Sequence, residues 1–204
     1  MATISSAVIE THPFGTSRGK WTELWWRWFL GNQGQDQHYD QDQDRPVYFV
    51  PGKWMIKEDK DVLYTASVIP QDKAILTPID NWLSFGSFFT CSEDLKRIAI
   101  ERTDSLVYLN LTVDGEKIVT SPESPLATRI LSDVFTINLP AEAERRDEIS
   151  GKTIRRGKYK VVSDGYWLFL GPHILDKGIH DIQLSCSCRT KALTLEAHHR
   201  IDII

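Results

Sequence analysis

Several groups of side chains in this sequence have types and spacings that could support chemistry. Asp40, Asp42 and Asp44 alternate, which places three carboxylates within five residues of a polar stretch. A calcium ion takes about six to eight oxygen ligands, and alternating aspartates in a loop supply several at once, so calcium is the cofactor this triplet suits. The stretch is not an EF-hand, because Arg45 stands where the loop glycine belongs and Pro51 where the closing glutamate belongs. The competing reading is a solvated loop whose charges keep a sheet edge soluble. His180, His198 and His199 fall on the last two predicted strands. If these strands form a hairpin turning near Arg189, position 180 faces 198 or 199, and two imidazoles with Asp181 or Asp202 make half of a zinc or iron site. Adjacent residues of a strand point to opposite faces, so only one of His198 and His199 can join a given site. A surface histidine beside a buried one is the simpler account. Cys186-Ser187-Cys188 is a soft-metal half-site only if another ligand converges on it, and no second cysteine pair completes a zinc signature.

Trp82, Phe85, Phe88 and Phe89 lie between Asp80 and Cys91, a segment that reads as an aromatic loop. Rigid aromatic faces outside regular elements line apolar pockets, stack on sugar rings or form subunit interfaces. The plainer alternative is a plug over one end of the core. Gly15-Thr16-Ser17-Arg18-Gly19 matches the G-x-S-x-G pattern, but Thr11-His12-Pro13-Phe14 before it is no apolar strand, and no earlier strands could supply an oxyanion loop. Ser17 reads as a helix N-cap instead. No Walker loop, Rossmann fingerprint, H-E-x-x-H or paired-carboxylate motif of recognised spacing is present. Carboxylates such as Asp80 and Asp164 can meet only through the fold.

The elements that must position these groups are legible in outline. Trp21, Leu24, Trp25, Trp28 and Phe29 share one side of a helix running from Ser17 or Arg18 to Leu30, with Glu23 and Arg27 opposite and Gly31 placed as a cap. This Trp-rich amphipathic helix needs a broad apolar surface to cover, which the strands downstream would provide. Strands are predicted at Ala7–Glu10, Pro46–Val50, Val62–Ile69 and Ala74–Ile79, the last two as a hairpin, with Pro78 marking an edge or an end. Ser92-Glu93-Asp94 opens a short second helix with Leu95, Ile98 and Ala99 inward. Leu106–Val113, Asp114-Gly115 and Glu116–Thr120 carry a strong hairpin signal. Thr128–Leu139, Lys158–Val162, Gly165–Leu170, Ile179–Ser187 and Lys191–Ile203 complete the strands, and 141–157 reads as a charged surface excursion. About nine or ten short strands with few helices predict an all-β fold, a β-sandwich or jelly-roll-like domain spanning 1–204.

Composition narrows the function classes. Seven tryptophans and a 41% hydrophobic fraction over 204 residues are enough for a real core. The net charge of −4 argues against a nucleic-acid partner. No window approaches the ~20 apolar residues of a membrane span, and no signal peptide is visible at the N-terminus, so a cytoplasmic protein with reduced thiols is expected.

Trp25-x-x-Trp28-Phe29-Leu30, Pro46-Val47-Tyr48-Phe49-Val50-Pro51-Gly52, Val68-Ile69-Pro70-Gln71-Asp72-Lys73-Ala74-Ile75-Leu76-Thr77-Pro78-Ile79 and Asp164-Gly165-Tyr166-Trp167 resemble a widespread family of uncharacterised bacterial proteins. The resemblance runs from Trp21 to about Gln183, rests on structural motifs and implies no activity. It implies a cysteine after the helix and another before the Val-x-Pro segment. This chain has neither, with Ser67 at the second position, and so departs from the disulfide that pattern suggests.

The expectation is a non-catalytic binding or assembly module that takes a small apolar or sugar-like ligand, or a protein, on Trp82, Phe85, Phe88 and Phe89. The alternatives are a metal-dependent enzyme using the aspartate triplet or the histidines, and a self-assembling subunit forming a homo-oligomer through strand edges.

Overall fold

Ser17 decides where the first helix begins. Its Oγ accepts the backbone N–H of Lys20 at 3.2 Å, the geometry of an N-cap serine. From there α1 runs Arg18–Gly31 in a computed structural model that describes residues 12–31, 44–52, 63–122, 128–146, 151, 153–188 and 191–204. Trp21, Trp25, Trp28 and Phe29 are buried on it as the spacing predicts, whereas Leu24 is only partly buried and Gly31 is itself helical rather than a cap beyond the end. Trp26 is buried too, outside the expected stripe, because its indole N–H reaches Ser163 Oγ at 2.8 Å. Trp21 and Trp25 donate likewise to the carbonyls of Pro13 (3.0 Å) and Val50 (2.9 Å). These indoles bury a large apolar area while pairing their polar edge. Trp25 stacks on Phe29 at 4.6 Å between centroids and meets Trp167 edge-on at 5.3 Å.

The remaining elements are β1 (Val47–Phe49), β2 (Leu63–Ile69), β3 (Ala74–Gly86), α2 (Ser92–Asp104), β4 (Leu106–Val113), β5 (Glu116–Val119), β6 (Thr128–Leu131), β7 (Phe135–Leu139), β8 (Arg145–Arg146), β9 (Thr153–Ile154), β10 (Gly157–Leu170), β11 (Gly178–Cys188) and β12 (Lys191–Ile203). They form the expected β-sandwich. One five-stranded sheet has the order β1-β3-β10-β6 with β7 also on β10, the other the order β2-β12-β11-β4-β5, and β8 pairs with β9 apart from both. One face of the first sheet is covered by α1 through Val47, Phe49, Leu76, Leu83, Val161 and Trp167. The other face is divided. The second sheet packs on it through Ile75, Ile79, Leu168 and Leu170, and α2 packs on it through Leu95 and Ala99 against Val162. No helix among the described residues is long and apolar enough to cross a membrane.

Several sequence expectations change here. β3 does not end at Ile79. It continues to Gly86, so Trp82 and Phe85 lie in a strand and only the residues after Gly86 form a loop. Pro78 sits inside this strand because the register with β10 shifts there: Asp80 pairs with Tyr166 and Pro78 with Trp167, leaving Ile79 as the extra residue of a bulge. A proline that cannot donate to a ladder is tolerated at such a place. The β2–β3 segments are not a hairpin, since they belong to different sheets. Thr128–Leu139 is broken into β6 and β7, and the 141–157 excursion is not wholly solvated, because Ala143 and Ile154 join the core under α1. The predicted Ala7–Glu10 strand lies outside the described residues.

Opposite the bulge, Gly165 pairs with Asn81, and a Cβ on it would stand 2.4 Å from both the Asn81 Cα and the Asp80 carbonyl oxygen. Backbone cannot give way as a flexible side chain can, so Gly165→Ala is expected to cost stability at or above the top of the roughly 1–3 kcal/mol typical of overpacking. Urea denaturation measures this. Gly31→Ala, which meets nothing within 4 Å, serves as the control and loses none.

Candidate functional site

The bulge turns the side chains of β3 over. Before it, Ile75 and Ile79 point toward the second sheet; after it, Leu83 and Phe85 point to α1, so Asp80, Trp82 and Ser84 take the face shared by the second sheet and α2. β10 offers Val162, Asp164 and Tyr166 to that face. Asp80 and Asp164 are therefore diagonal neighbours at the seam where the covering layer changes from sheet to helix. Sequence spacing could not pair them, because they lie on strands far apart in the chain.

The two carboxylates are treated differently. Asp164, 0% exposed, is held by Arg129, whose Nη2 and Nε reach its Oδ2 at 2.6 and 3.1 Å. The same guanidinium binds Asp104 Oδ1 at 2.6 Å and the Ile100 carbonyl at 3.3 Å, so β6 is tied to the C-terminal turn of α2. A cation there also complements the negative end of the helix dipole. Its bond to Asp164 raises the Arg129 pKa, with burial opposing and Asp104 adding to the rise. Asp80 is held by neutral groups: the Trp82 indole N–H donates to Oδ2 at 3.2 Å and the Cys186 thiol to Oδ1 at 3.6 Å. Burial pushes the Asp80 pKa from 3.8 up to about 6; those two bonds oppose the rise and the charge of Asp164 adds to it. Asp80 borders a cleft of about 60 Å³ with Pro78, Asn81, Leu184 and Glu196. That space admits a few water molecules and is far below the roughly 300 Å³ at which small-molecule sites begin. A carboxyl that titrates near neutrality is thus present without room for a sugar ring beside it.

The four aromatic residues do not form one pocket. Trp82 is half-buried, with the Arg102 guanidinium 6.0 Å from its ring. Phe85 packs under α1 and meets Tyr159 edge-on at 5.5 Å. Phe88 and Phe89 stand on the turn between β3 and α2, 53% and 98% exposed. This turn is well fixed. Thr90 N–H donates to the Ser87 carbonyl at 3.0 Å, Phe89 N–H to Ser87 Oγ at 3.3 Å, and Lys160 Nζ to the Thr90 carbonyl at 3.1 Å. Gly86 permits the close fold, since a Cβ there would lie 2.8 Å from Thr90 Cβ and 2.9 Å from Leu95 Cδ2. Lys158 Nζ lies 5.7 Å from the Phe88 ring centroid.

The histidines are kept apart. Continuing the Cys188–Lys191 pairing would set His180 against His199, but the irregularity between Ser187 and Cys188 moves the register by two residues, and His180 pairs with Ile201. Its Nδ1 lies 2.7 Å from Asp114 Oδ2 and its Nε2 2.8 Å from the Asp176 carbonyl. Burial lowers its pKa, but these bonds outweigh it and the net direction is upward. His198 faces outward, tilted on Tyr64 at 5.2 Å. His199 is 0% exposed, with Nδ1 2.5 Å from Thr65 Oγ1, and burial chiefly, then His198, pulls its pKa down to about 4 against a small opposing effect of Asp181. Asp40 and Asp42 lie outside the described residues and Asp44 is exposed. Among the described residues no three His, Cys, Asp or Glu side chains converge as metal ligands.

No family profile and no curated protein matches the chain. Among solved structures it is similar to a chain of "Structure of PbICP-C in complex with falcipain-2", at 7% identity and a TM-score of 0.31 over 78% of this chain and 98% of that one. It is also similar to a family 123 glycoside hydrolase from Clostridium perfringens, at 9% identity and a TM-score of 0.30, over 70% of this chain but 23% of that one. At these scores neither carries an argument about this chain.

Asp80 and His199 act oppositely on stability. An acid whose pKa is raised on folding stabilises below its unfolded value and loses that contribution as pH rises through about 6. A base whose pKa is lowered stabilises above 6.5 and loses that contribution as pH falls through about 4. Between these limits the two slopes offset each other. Asp80→Asn is expected to raise stability at pH 8 by roughly 1–3 kcal/mol, with the gain vanishing near pH 4, and to leave the acid sensitivity of His199 unopposed. Denaturation of both proteins across this range measures it; a gain independent of pH contradicts the burial of Asp80.

Proposed function

We propose that this chain is a non-catalytic binding module that takes a protein partner on the turn between β3 and α2, with Phe88 and Phe89 as anchors. The observation that carries this reading is the 98% exposure of Phe89 on a turn whose backbone is pinned at both sides. A large aromatic side chain set in water on a fixed backbone adds nothing to the core, and with few rotatable bonds and no loop to order it loses little entropy when a partner covers it. Lys158 and Lys160 flank the pair, so the complementary surface is an apolar pocket with carboxylates at its rim. A small ligand is disfavoured by the dispersal of Trp82 and Phe85 away from the exposed pair. Arg129 and the packing of Leu95 and Ala99 hold α2 to the first sheet and so fix the turn that leads into it.

A photo-crosslinking phenylalanine analogue placed at position 89, in cells producing the chain, is expected to give a discrete protein adduct that the same analogue at Glu101 does not. Phe88→Ser should abolish that adduct while leaving the thermal midpoint unchanged. With the partner in hand, Phe89→Ala is expected to cost roughly 2 kcal/mol or more of binding. Identical adducts from positions 89 and 101 would overturn the proposal.

A further inference from the structure

The edges of the two large sheets are not protected alike. β1 has three residues, β6 has four and spends Arg129 on the ion-pair network, β7 has five with Phe135, Ile137 and Leu139 buried in the core under α1, and β5 has four with Glu116 and Lys117 exposed. Short strands and charges are the usual means of keeping an edge from pairing with another chain. β2 has neither. It is seven residues long, Leu-Tyr-Thr-Ala-Ser-Val-Ile, without a charge, proline or glycine, and its partner among the described residues is β12 alone. Tyr64 is 69% exposed and Val68 45%, with Ala66 exposed between them. This order is nearly the same read in either direction from Ala66: a hydroxyl residue on each side, Thr65 and Ser67, then a large exposed residue, Tyr64 and Val68. A strand with that symmetry is complementary to itself when turned end for end.

We propose that β2 pairs antiparallel with β2 of a second copy of this chain about a two-fold axis at Ala66, joining two five-stranded sheets into one. This register sets Tyr64 beside the partner's Val68, an aromatic and β-branched pair of the kind that stabilises sheets, and Thr65 beside the partner's Ser67. Tyr64 already rests against His198 on its own sheet, so its ring is supported on one side and meets the new neighbour on the other. The row of backbone donors and acceptors at the edge is satisfied at the same time, and a symmetric contact of this kind closes at two copies. The interface is separate from the Phe88–Phe89 turn and stands or falls independently of it.

Sedimentation of the full chain tests this, with a dimer at twice the 23.4 kDa chain mass expected. Ala66→Lys sets two like charges against each other on the axis and should give a monomer that keeps the wild-type far-UV circular dichroism and unfolds cooperatively at a midpoint independent of concentration, while Phe89→Ser should leave the dimer intact. Ala66→Cys in a Cys91→Ser, Cys188→Ser background should form a disulfide-linked dimer under mild oxidation that the background alone does not, which decides the register if the lysine variant fails to fold. A monomeric wild-type chain overturns the proposal. A dimer that survives Ala66→Lys and does not crosslink through Ala66→Cys overturns it equally, and an added strand from another protein in place of the second copy does so as well.

Discussion

A backbone contact with no space for a side chain governs this molecule. Gly165 on β10 lies against Asn81 and the Asp80 carbonyl of β3, where one extra residue is accommodated in the ladder. Because side chains alternate along a strand, that extra residue exchanges the two faces of everything after it. Leu83 and Phe85 are delivered to the layer under α1, and Asp80, Trp82 and Ser84 to the layer that the second sheet and α2 divide between them. Without the exchange, Phe85 would leave the indole-rich core and Asp80 would enter it.

The seam created in this way contains one compensated and one uncompensated carboxyl. Asp164 shares Arg129 with Asp104 and the end of α2, so its burial does structural work by joining β10, β6 and the helix. Removing Arg129 would strand the buried charge of Asp164, whereas Arg129 itself is partly exposed and also bonded to Asp104. Among the described residues Asp80 has only an indole and a thiol as donors, and its burial costs stability once it ionises. His199, buried against Thr65, carries the opposite liability. The folded state therefore favours the neutral form of two titratable groups on the inward side of its sheets, His199 staying neutral down to about pH 4 and Asp80 up to about pH 6, and their pH dependences offset each other through the mildly acidic range. The same clamp that neutralises Asp164 steadies α2, and α2 begins directly after the turn that presents Phe88 and Phe89.

Much of the framework could be read from the sequence. The Trp21, Trp25, Trp28 and Phe29 spacing gave a helix against a sheet, Ser17 its cap, and Asp114-Gly115 a hairpin turn that has the positive φ angles, 52° and 80°, such turns demand. Trp26 was missed because its burial is decided by a hydroxyl on a distant strand rather than by its position on the helix. The extension of β3 was missed because Pro78 reads as an edge or an end of a strand, and only the bulge makes it compatible with continued pairing. The histidine pairing failed for a related reason, since an irregularity at Ser187 and Cys188 moved the register by two. Local periodicity fixes which elements form; departures from it, set by tertiary contacts, fix which side chains meet. The Asp80–Asp164 pair could have been suspected from aspartates embedded in apolar runs, Pro78-Ile79-Asp80 and Asp164-Gly165-Tyr166-Trp167, but their meeting belongs to the register alone.

The burial of Asp80 at this seam is the point on which the bulge, the exchanged faces and the divided second layer all converge. Carbon-13 NMR titration of its side-chain carboxyl reads that burial directly. The structure predicts a midpoint of about 6. A midpoint at the ordinary 3.8 of an aspartate would place the carboxyl in water and contradict the arrangement of β3 described here.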